Sequence, residues 1–438
     1  MQKTFRTISL SLLVSLATTP AYALDFLESY QLAVENDPDI LAAQYDYQST
    51  LQTRSQSRSS LLPNIDLDIF GSRTERDGAS LMTTTTGDYE TTGYTLSLSQ
   101  SIYNHGLHLQ LEQTDLSIAA AATNYSAQQQ ALIVRVAEAY FNVLSAEDTL
   151  AFATAEKKAI GEQLEQTRQR FEVGLIAITD VKESQAQYDL SVAAEIQAQN
   201  QVHTSRETLR TIIGSYPQKL DQLDSELPLL VPEPADIDKW VATSKENNLA
   251  LKSAQYALEI AQTQIGIDRS GHYPSLHLNL SRDDSSTDTD TTTIDTEDTR
   301  LMLNLNIPIY SGGLTSAKTR QAVAQKERAR SLHERELRNA VKSARDSYLG
   351  ISASIAQVKA FNQALVSTQT AYEASQAGFE VGTRTAVEVL SVLREQFRAE
   401  RDYARSRYDY ILNILRLKQA AGILSEDDVV QINQWLTS

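Results

Sequence analysis

The chain has 438 residues, no cysteine and a formal net charge of −17 at pH 7. That balance argues against a nucleic-acid partner and against a polybasic membrane patch. The missing thiols exclude disulfides, thiolate metal sites, a catalytic cysteine and a lipid anchor on an N-terminal cysteine.

Residues 1–23 read as a secretory signal peptide. Lys3 and Arg6 give a basic start, Ile8 to Leu16 an apolar middle, and Ala21-Tyr22-Ala23 an A-x-A cleavage site. The apolar stretch is too short to stay as a membrane helix. Its removal takes away two positive charges and no acids, so the mature chain is more acidic still. No later segment has ~18 uninterrupted apolar residues. Ala131 to Leu144 comes nearest and is broken by Arg135, Glu138 and Asn142. If such an exported chain enters a membrane, it must do so as a β-barrel.

Leu24 to about Ser60 reads as helical. From Asn64 the apolar period changes to two: Ile65, Leu67 and Ile69 alternate with Asn64, Asp66 and Asp68, and Tyr94, Leu96 and Leu98 with Thr95, Ser97 and Ser99. Alternation over about ten residues is the signal of a strand wet on one face and apolar on the other. A membrane sheet and a soluble sheet packed over helices both fit it. Thr74 to Thr92, between these rows, is strongly polar and is expected to be a solvated loop outside the cell. After Gly106 a helical pattern runs to about Phe171 without proline or a breaking glycine. That is roughly 100 Å, far too long for a compact domain. Leu132, Val136, Ala139 and Val143 form one stripe along it.

At Phe171-Glu172-Val173-Gly174-Leu175-Ile176-Ala177-Ile178-Thr179-Asp180-Val181 this helix ends and another begins. Glycine takes the left-handed conformation that closes a helix, so the stretch reads as the tip of a long helical hairpin.

The pattern then occurs again. Glu35-Asn36 returns as Glu246-Asn247, Pro63 as Pro274, Tyr103 and Gly106 as Tyr310 and Gly313, and Gly214 as Gly422. The tip returns as Phe379-Glu380-Val381-Gly382-Thr383-Arg384-Thr385-Ala386-Val387-Glu388-Val389, where Thr385 and Glu388 have capping-box spacing. The second pair of strands is marked by Leu276, Leu278 and Leu280, then by Leu301, Leu303, Leu305, Ile307 and Ile309. Asp283 to Thr299 between them is expected to be a second solvated loop. Leu390, Leu393, Phe397, Ala404, Tyr408, Ile411 and Leu415 form a coiled-coil seam in the last long helix. Two repeats are therefore expected, 24–216 and 233–438. They are joined by a proline-marked equatorial link at 217–232 that no helix crosses intact.

Four strands cannot close a membrane barrel, since the smallest have about eight, and open edges in lipid are forbidden. The chain must associate, and a cyclic ring removes the edges. Two copies would close with almost no lumen. Three give twelve strands, continued by a helical tube.

The arrangement resembles the TolC family of outer-membrane efflux proteins. The resemblance rests on Arg170-Phe171-x-Val173-Gly174 with Ala177-Ile178-Thr179-Asp180-Val181, on Val381-Gly382-Thr383-Arg384-Thr385 leading to Val387-Glu388-Val389-Leu390, and on Arg407-Tyr408-Asp409-Tyr410 leading to Gly422. It covers essentially the whole mature chain. It implies an α+β membrane protein: a homotrimer sharing a twelve-stranded barrel in outer-membrane lipid of a Gram-negative bacterium, continued by an antiparallel α-helical tunnel through the periplasm. The implied function is a passive exit duct for multidrug efflux or type I secretion. A periplasmic adaptor and an inner-membrane pump of RND, ABC or MFS type would recruit and open it.

The resemblance also implies a closed state in which an Arg and a Tyr of the second hairpin bond to a Thr-Asp pair of the first, while acidic rings narrow the lumen. Carried over by position, these are Arg384, Thr179, Asp180 and Glu388. Two positions depart: Phe379 stands where the family has the Tyr, and Ser391 where it has a second acidic ring. The adaptor-docking tips would be Val173-Gly174-Leu175 and Val381-Gly382-Thr383. Read without the resemblance, Glu388 is only a capping-box acid, Asp180 only an N-cap for a helix starting at Val181, and Arg384 only a solvated loop cation.

Nothing else in the chain points to an enzyme, a metal or a cofactor. His105 and His108, and His272 and His277, lack a third ligand nearby in sequence, and there is no phosphate loop or nucleophile elbow. The competing reading is an exported soluble coiled-coil scaffold whose sheet is buried in its own core.

Overall fold

The computed structural model describes residues 24–79, 84–224, 226–289 and 292–437. The expected signal peptide and its cleavage site lie outside these residues. Asp37 and Pro38 split the first helical stretch into α1 (Phe26–Asn36) and α2 (Pro38–Ser59), because proline can start a helix but cannot continue one. The Asp37 carboxylate accepts from Ile40 N at 2.9 Å and caps α2.

Pro63 precedes a hairpin of β1 (Asn64–Ala79) and β2 (Thr84–Tyr103). Then come α3 (His105–Glu172), α4 (Ile178–Ile213) and a two-residue strand β3 (Gln222–Leu223). The order repeats with α5 (Ile237–Asn247), α6 (Leu249–Arg269), β4 (Ser275–Thr289), β5 (Thr293–Asn306), α7 (Leu314–Glu380) and α8 (Ala386–Ala421). A short α9 (Glu426–Asn433) and β6 (Leu436–Thr437) complete the described chain.

The four long strands form one antiparallel sheet in the order β1-β2-β4-β5. Its register aligns the apolar rows: Ile65 faces Leu98, Leu98 faces Leu280, and Leu280 faces Leu301. One continuous apolar band therefore crosses all four strands. The chain does not cover it; Ile65, Ile69 and Leu301 are 65%, 79% and 70% exposed. A scaffold with its sheet in its own core is not what the chain builds. Among the described residues, β1 and β5 each have one partner strand only, so both outer edges of the sheet are open.

The polar stretches 74–92 and 283–299 are not loops. Their described residues run as paired strands in both hairpins, and the strands are 14 to 20 residues long rather than ten. Threonine is β-branched and favours the pleated sheet, and facing polar side chains pair across it. Arg73 meets Asp88 at 2.9 Å, Arg282 meets Glu297 at 2.7 Å, and the Thr95 hydroxyl donates to Asp283 at 2.8 Å. At the other end, β5 stops at Asn306, so Ile307 and Ile309 lie outside the strand. Pro308 has no N–H for the ladder.

The helices α3 and α7, 68 and 67 residues long, run from the sheet to the tips. Near the sheet, α2 lies beside α3, and α6 packs between α3 and α7. Towards the tips, α4 pairs with α3 and α8 with α7. The main core lies between these zones, where Leu132, Val136, Tyr140, Phe141 and Val143 of α3 meet Phe26, Leu209, Ile411, Leu415, Val429 and Ile432. There the Tyr140 hydroxyl donates to Asp221 O at 2.9 Å, and the Tyr410 hydroxyl accepts from Leu230 N at 2.7 Å. These bonds hold the proline-marked link on the bundle. The link is sealed by β3 pairing with β6.

The recurring glycines and asparagines meet in space. Gly214 closes α4 at φ +77°, where a Cβ would lie 2.9 Å from Asn36 Cβ; Gly422 closes α8 at φ +72°, where it would lie 2.2 Å from Asn247 O. Gly422→Ala combines a left-handed backbone with a clash against main chain. It is expected to cost roughly 2–4 kcal/mol. Gly174→Ala, at φ +76° in open space, should cost only about 1–2 kcal/mol. Unfolding of the two purified variants in detergent, followed by helical ellipticity, gives the comparison.

Candidate functional site

Both tips are closed by the same pair of crossed backbone bonds. After α3, Gly174 turns left-handed, its N donates to Phe171 O at 2.9 Å, and Leu175 N donates to Arg170 O at 2.9 Å. After α7, Gly382 has φ +79°, its N donates to Phe379 O at 3.1 Å, and Thr383 N donates to Gly378 O at 2.8 Å. This pattern satisfies the last carbonyls of a helix and reverses the chain. It leaves Val173, Leu175 and Val381 pointing outward, 71%, 72% and 75% exposed, with Thr383 also exposed.

The returning helices start differently. Thr385 caps α8 through a capping box: Glu388 N donates to the Thr385 hydroxyl at 3.3 Å, and Thr385 N donates to the Glu388 carboxylate at 2.8 Å. Ala177, the N-cap of α4, offers no side-chain bond. Asp180 is therefore not an N-cap. The helix begins at Ile178, which places Asp180 in its first turn, where the helix dipole favours a carboxylate.

Arg384 Nη1 donates to Glu388 Oε1 at 3.2 Å, a bond within one tip. Thr179 and Asp180 stand on the other hairpin, and among the described residues no side-chain bond joins them to Arg384. The Glu388 carboxyl is held below its ordinary range, chiefly by the backbone N–H of Thr385, then by the Thr385 hydroxyl and Arg384. Ser391 is exposed one turn further along α8.

Phe379 is 2% exposed and packs with Ala386, Val389 and the partly buried Tyr372. The guanidinium of Arg170, from the other hairpin, lies 4.1 Å from its ring centroid, and Arg170 Nη1 donates to Phe379 O at 2.8 Å. Sequence reasoning placed Arg170 only within a motif. Its partner is a main-chain oxygen, which no spacing announces. Further from the tips the hairpins are tied again, by Arg394 Nη1 to Gln187 at 3.0 Å and Arg401 Nη1 to Glu156 at 3.0 Å. Beneath them lies a buried cluster of Ile160, Leu390, Leu393 and Phe397.

The family model described as "Outer membrane efflux protein" matches residues 29–215 and 240–423. Over 423 residues the chain is 38% identical to the outer membrane protein TolC of Vibrio cholerae, covering 96% of this chain and 95% of that one. The chain belongs to the outer membrane efflux protein family. It is 28% identical over 418 residues to the alkaline protease secretion protein AprF of Pseudomonas aeruginosa, covering 93% and 86% of the two chains. The solved Campylobacter jejuni CmeC outer membrane channel shares the fold, with a TM-score of 0.78 at 17% identity over 94% of this chain and 90% of that one.

This member of the efflux family is thus an outer-membrane protein and an exit duct for efflux and secretion, in a family of channels rather than enzymes. Among the described residues no helix is long and apolar enough to cross a membrane. The outward apolar band of the sheet is the surface suited to lipid. No group of three His, Asp or Glu among the described residues is placed to hold a metal ion; His105 instead packs on Tyr273.

The capping box makes the second tip sensitive to pH. A lowered carboxyl pKa stabilises the folded form above the ordinary value of 4.5. That contribution is lost as pH falls through the lowered native value. Glu388→Gln should therefore flatten the pH dependence of amide protection across 385–390 in hydrogen exchange corrected for intrinsic rates. Thr385→Ala should lower protection there by the equivalent of about 1 kcal/mol.

Proposed function

We propose that three copies of the chain close one twelve-stranded barrel in outer-membrane lipid, continued by a helical tunnel whose periplasmic entrance is formed by the tips. The sheet carries this reading. It has an uncovered apolar band and two open edges, and backbone left unpaired in hydrocarbon costs several kcal/mol per group. Three sheets of four strands remove every edge and leave a lumen. Within each copy, 24–216 and 233–438 act as the two repeats around the ring, with 217–232 as the link between them. Native mass spectrometry in detergent should give a three-chain species. A monomer or a two-chain species as the dominant form would refute the closure.

In this reading the duct is passive and has no enzymatic activity of its own. An adaptor docks on Val173-Gly174-Leu175 and Val381-Gly382-Thr383, whose apolar side chains are largely exposed. An inner-membrane pump of RND, ABC or MFS type supplies the energy, for drugs or for a protein cargo.

The entrance closes when Arg384 meets Thr179 and Asp180 of a neighbouring copy. Within one copy those two have no side-chain partner among the described residues, while Arg384 is half-exposed beside Glu388. Glu388 of three copies forms a single acidic ring, and Ser391 leaves it without a second. Arg384→Ser is expected to raise the conductance of the purified channel in a planar bilayer several-fold, and unchanged conductance would remove the lock. Glu388→Ala should weaken block by a trivalent cation, and a block equal to that of the unsubstituted channel would remove the ring.

A further inference from the structure

We propose that Arg170 is a latch that holds the second tip of each chain onto its first. The geometry gives this one side chain three attachments. Its guanidinium covers the face of the Phe379 ring at 4.1 Å, a cation–π arrangement. Its Nη1 donates a charge-assisted hydrogen bond to Phe379 O at 2.8 Å. Its charge also sits at the end of α3 and reaches the end of α7. Arg170 is the basic residue in the last turn of α3, whereas the last turn of α7 has none. One cation therefore serves the negative ends of two helices.

Its acceptor is already part of the tip. Phe379 O takes Gly382 N at 3.1 Å, the bond that closes α7, and its second lone pair receives Arg170. Displacing Arg170 thus loosens the carbonyl that shapes the second turn. Among the described residues Arg170 has no carboxylate partner, and no other side-chain hydrogen bond joins the last turns of α3 and α7. The next ties, at Gln187 and Glu156, lie several turns away.

The latch also gives Phe379 a role that needs no hydroxyl. The ring is a platform, with Arg170 on one side and the buried Ala386 and Val389 packed around it. Lysine cannot replace Arg170 fully, because a point charge does not stack on a ring and donate sideways at once.

The absence of cysteine makes a direct test possible. Ala386→Cys places a single thiol against Phe379, at a position 2% exposed. Its labelling rate with a maleimide, in the full chain in detergent, reports loosening of the second tip. Adding Arg170→Ala should raise that rate on the order of tenfold, with Arg170→Lys in between. With Phe379→Leu, which keeps the carbonyl and removes the ring, Arg170→Ala should add less. An equal rate with and without Arg170 overturns the latch. So does an equal rise at Ala344→Cys, a buried site on α7 far from the tip, since that would mean general unfolding. A role for the latch in the entrance rests on the tip reading above, but the labelling does not. Arg384→Ser conductance tests the entrance separately, so either can fail without the other.

Discussion

The open edges of the sheet govern this molecule. A peptide group can leave water only if its N–H and C=O find partners. Here β1 and β5 present two unpartnered rows beside a band of Ile and Leu that excludes water-facing use. In the proposed closure, identical neighbours meet those rows. A sheet spread over several copies forces the helices beneath into a ring, and a ring of helices has a middle. On that proposal the duct is a by-product of edge closure before it is a device for transport.

The helical part is held by different means at different heights. Near the sheet, residues 105–131 of α3 fully bury no side chain. At mid-height aromatic and branched residues from eight helices pack into one core. Below it, polar ties take over within and between the hairpins. The Tyr408 hydroxyl donates to Asp148 at 2.7 Å, and burial pushes that carboxyl up while the hydroxyl and Arg407 pull it back. Arg206 with Glu147 at 2.8 Å, and Lys157 with Glu195 at 2.5 Å, join α3 to α4. Partly exposed pairs of this kind contribute ~1 kcal/mol or less each. They fix register without making the lower tube rigid.

Much of this was legible in the sequence because it depends on periodicity. The apolar rows of the strands, the seam of α8 and the glycines that close α3 and α7 follow from residue spacing alone. The polar halves of the hairpins are not legible as strands because Asp, Ser and Thr composition signals solvation, and only cross-strand partners such as Arg73 with Asp88 show that such residues form a ladder. The place of Asp180 is not legible because α4 starts without a side-chain cap, so its first turn carries no local mark. The Arg170–Phe379 contact was invisible for a plainer reason: it joins residues 209 apart, and one partner is a carbonyl that every residue possesses.

The position of the main core has a mechanical consequence. Tyr408 enters that core, while Ala386 begins the same helix at the tip, a lever arm of roughly 33 Å. With its fulcrum fixed by dense packing, a tilt of about 5° would carry the far end about 3 Å, the reach of one hydrogen bond. Swinging the arm needs no melting of the helix and no repacking at the pivot. Work done at the free end is therefore spent on the polar ties there and on the apolar contacts of Leu390, Leu393 and Phe397 with Ile160.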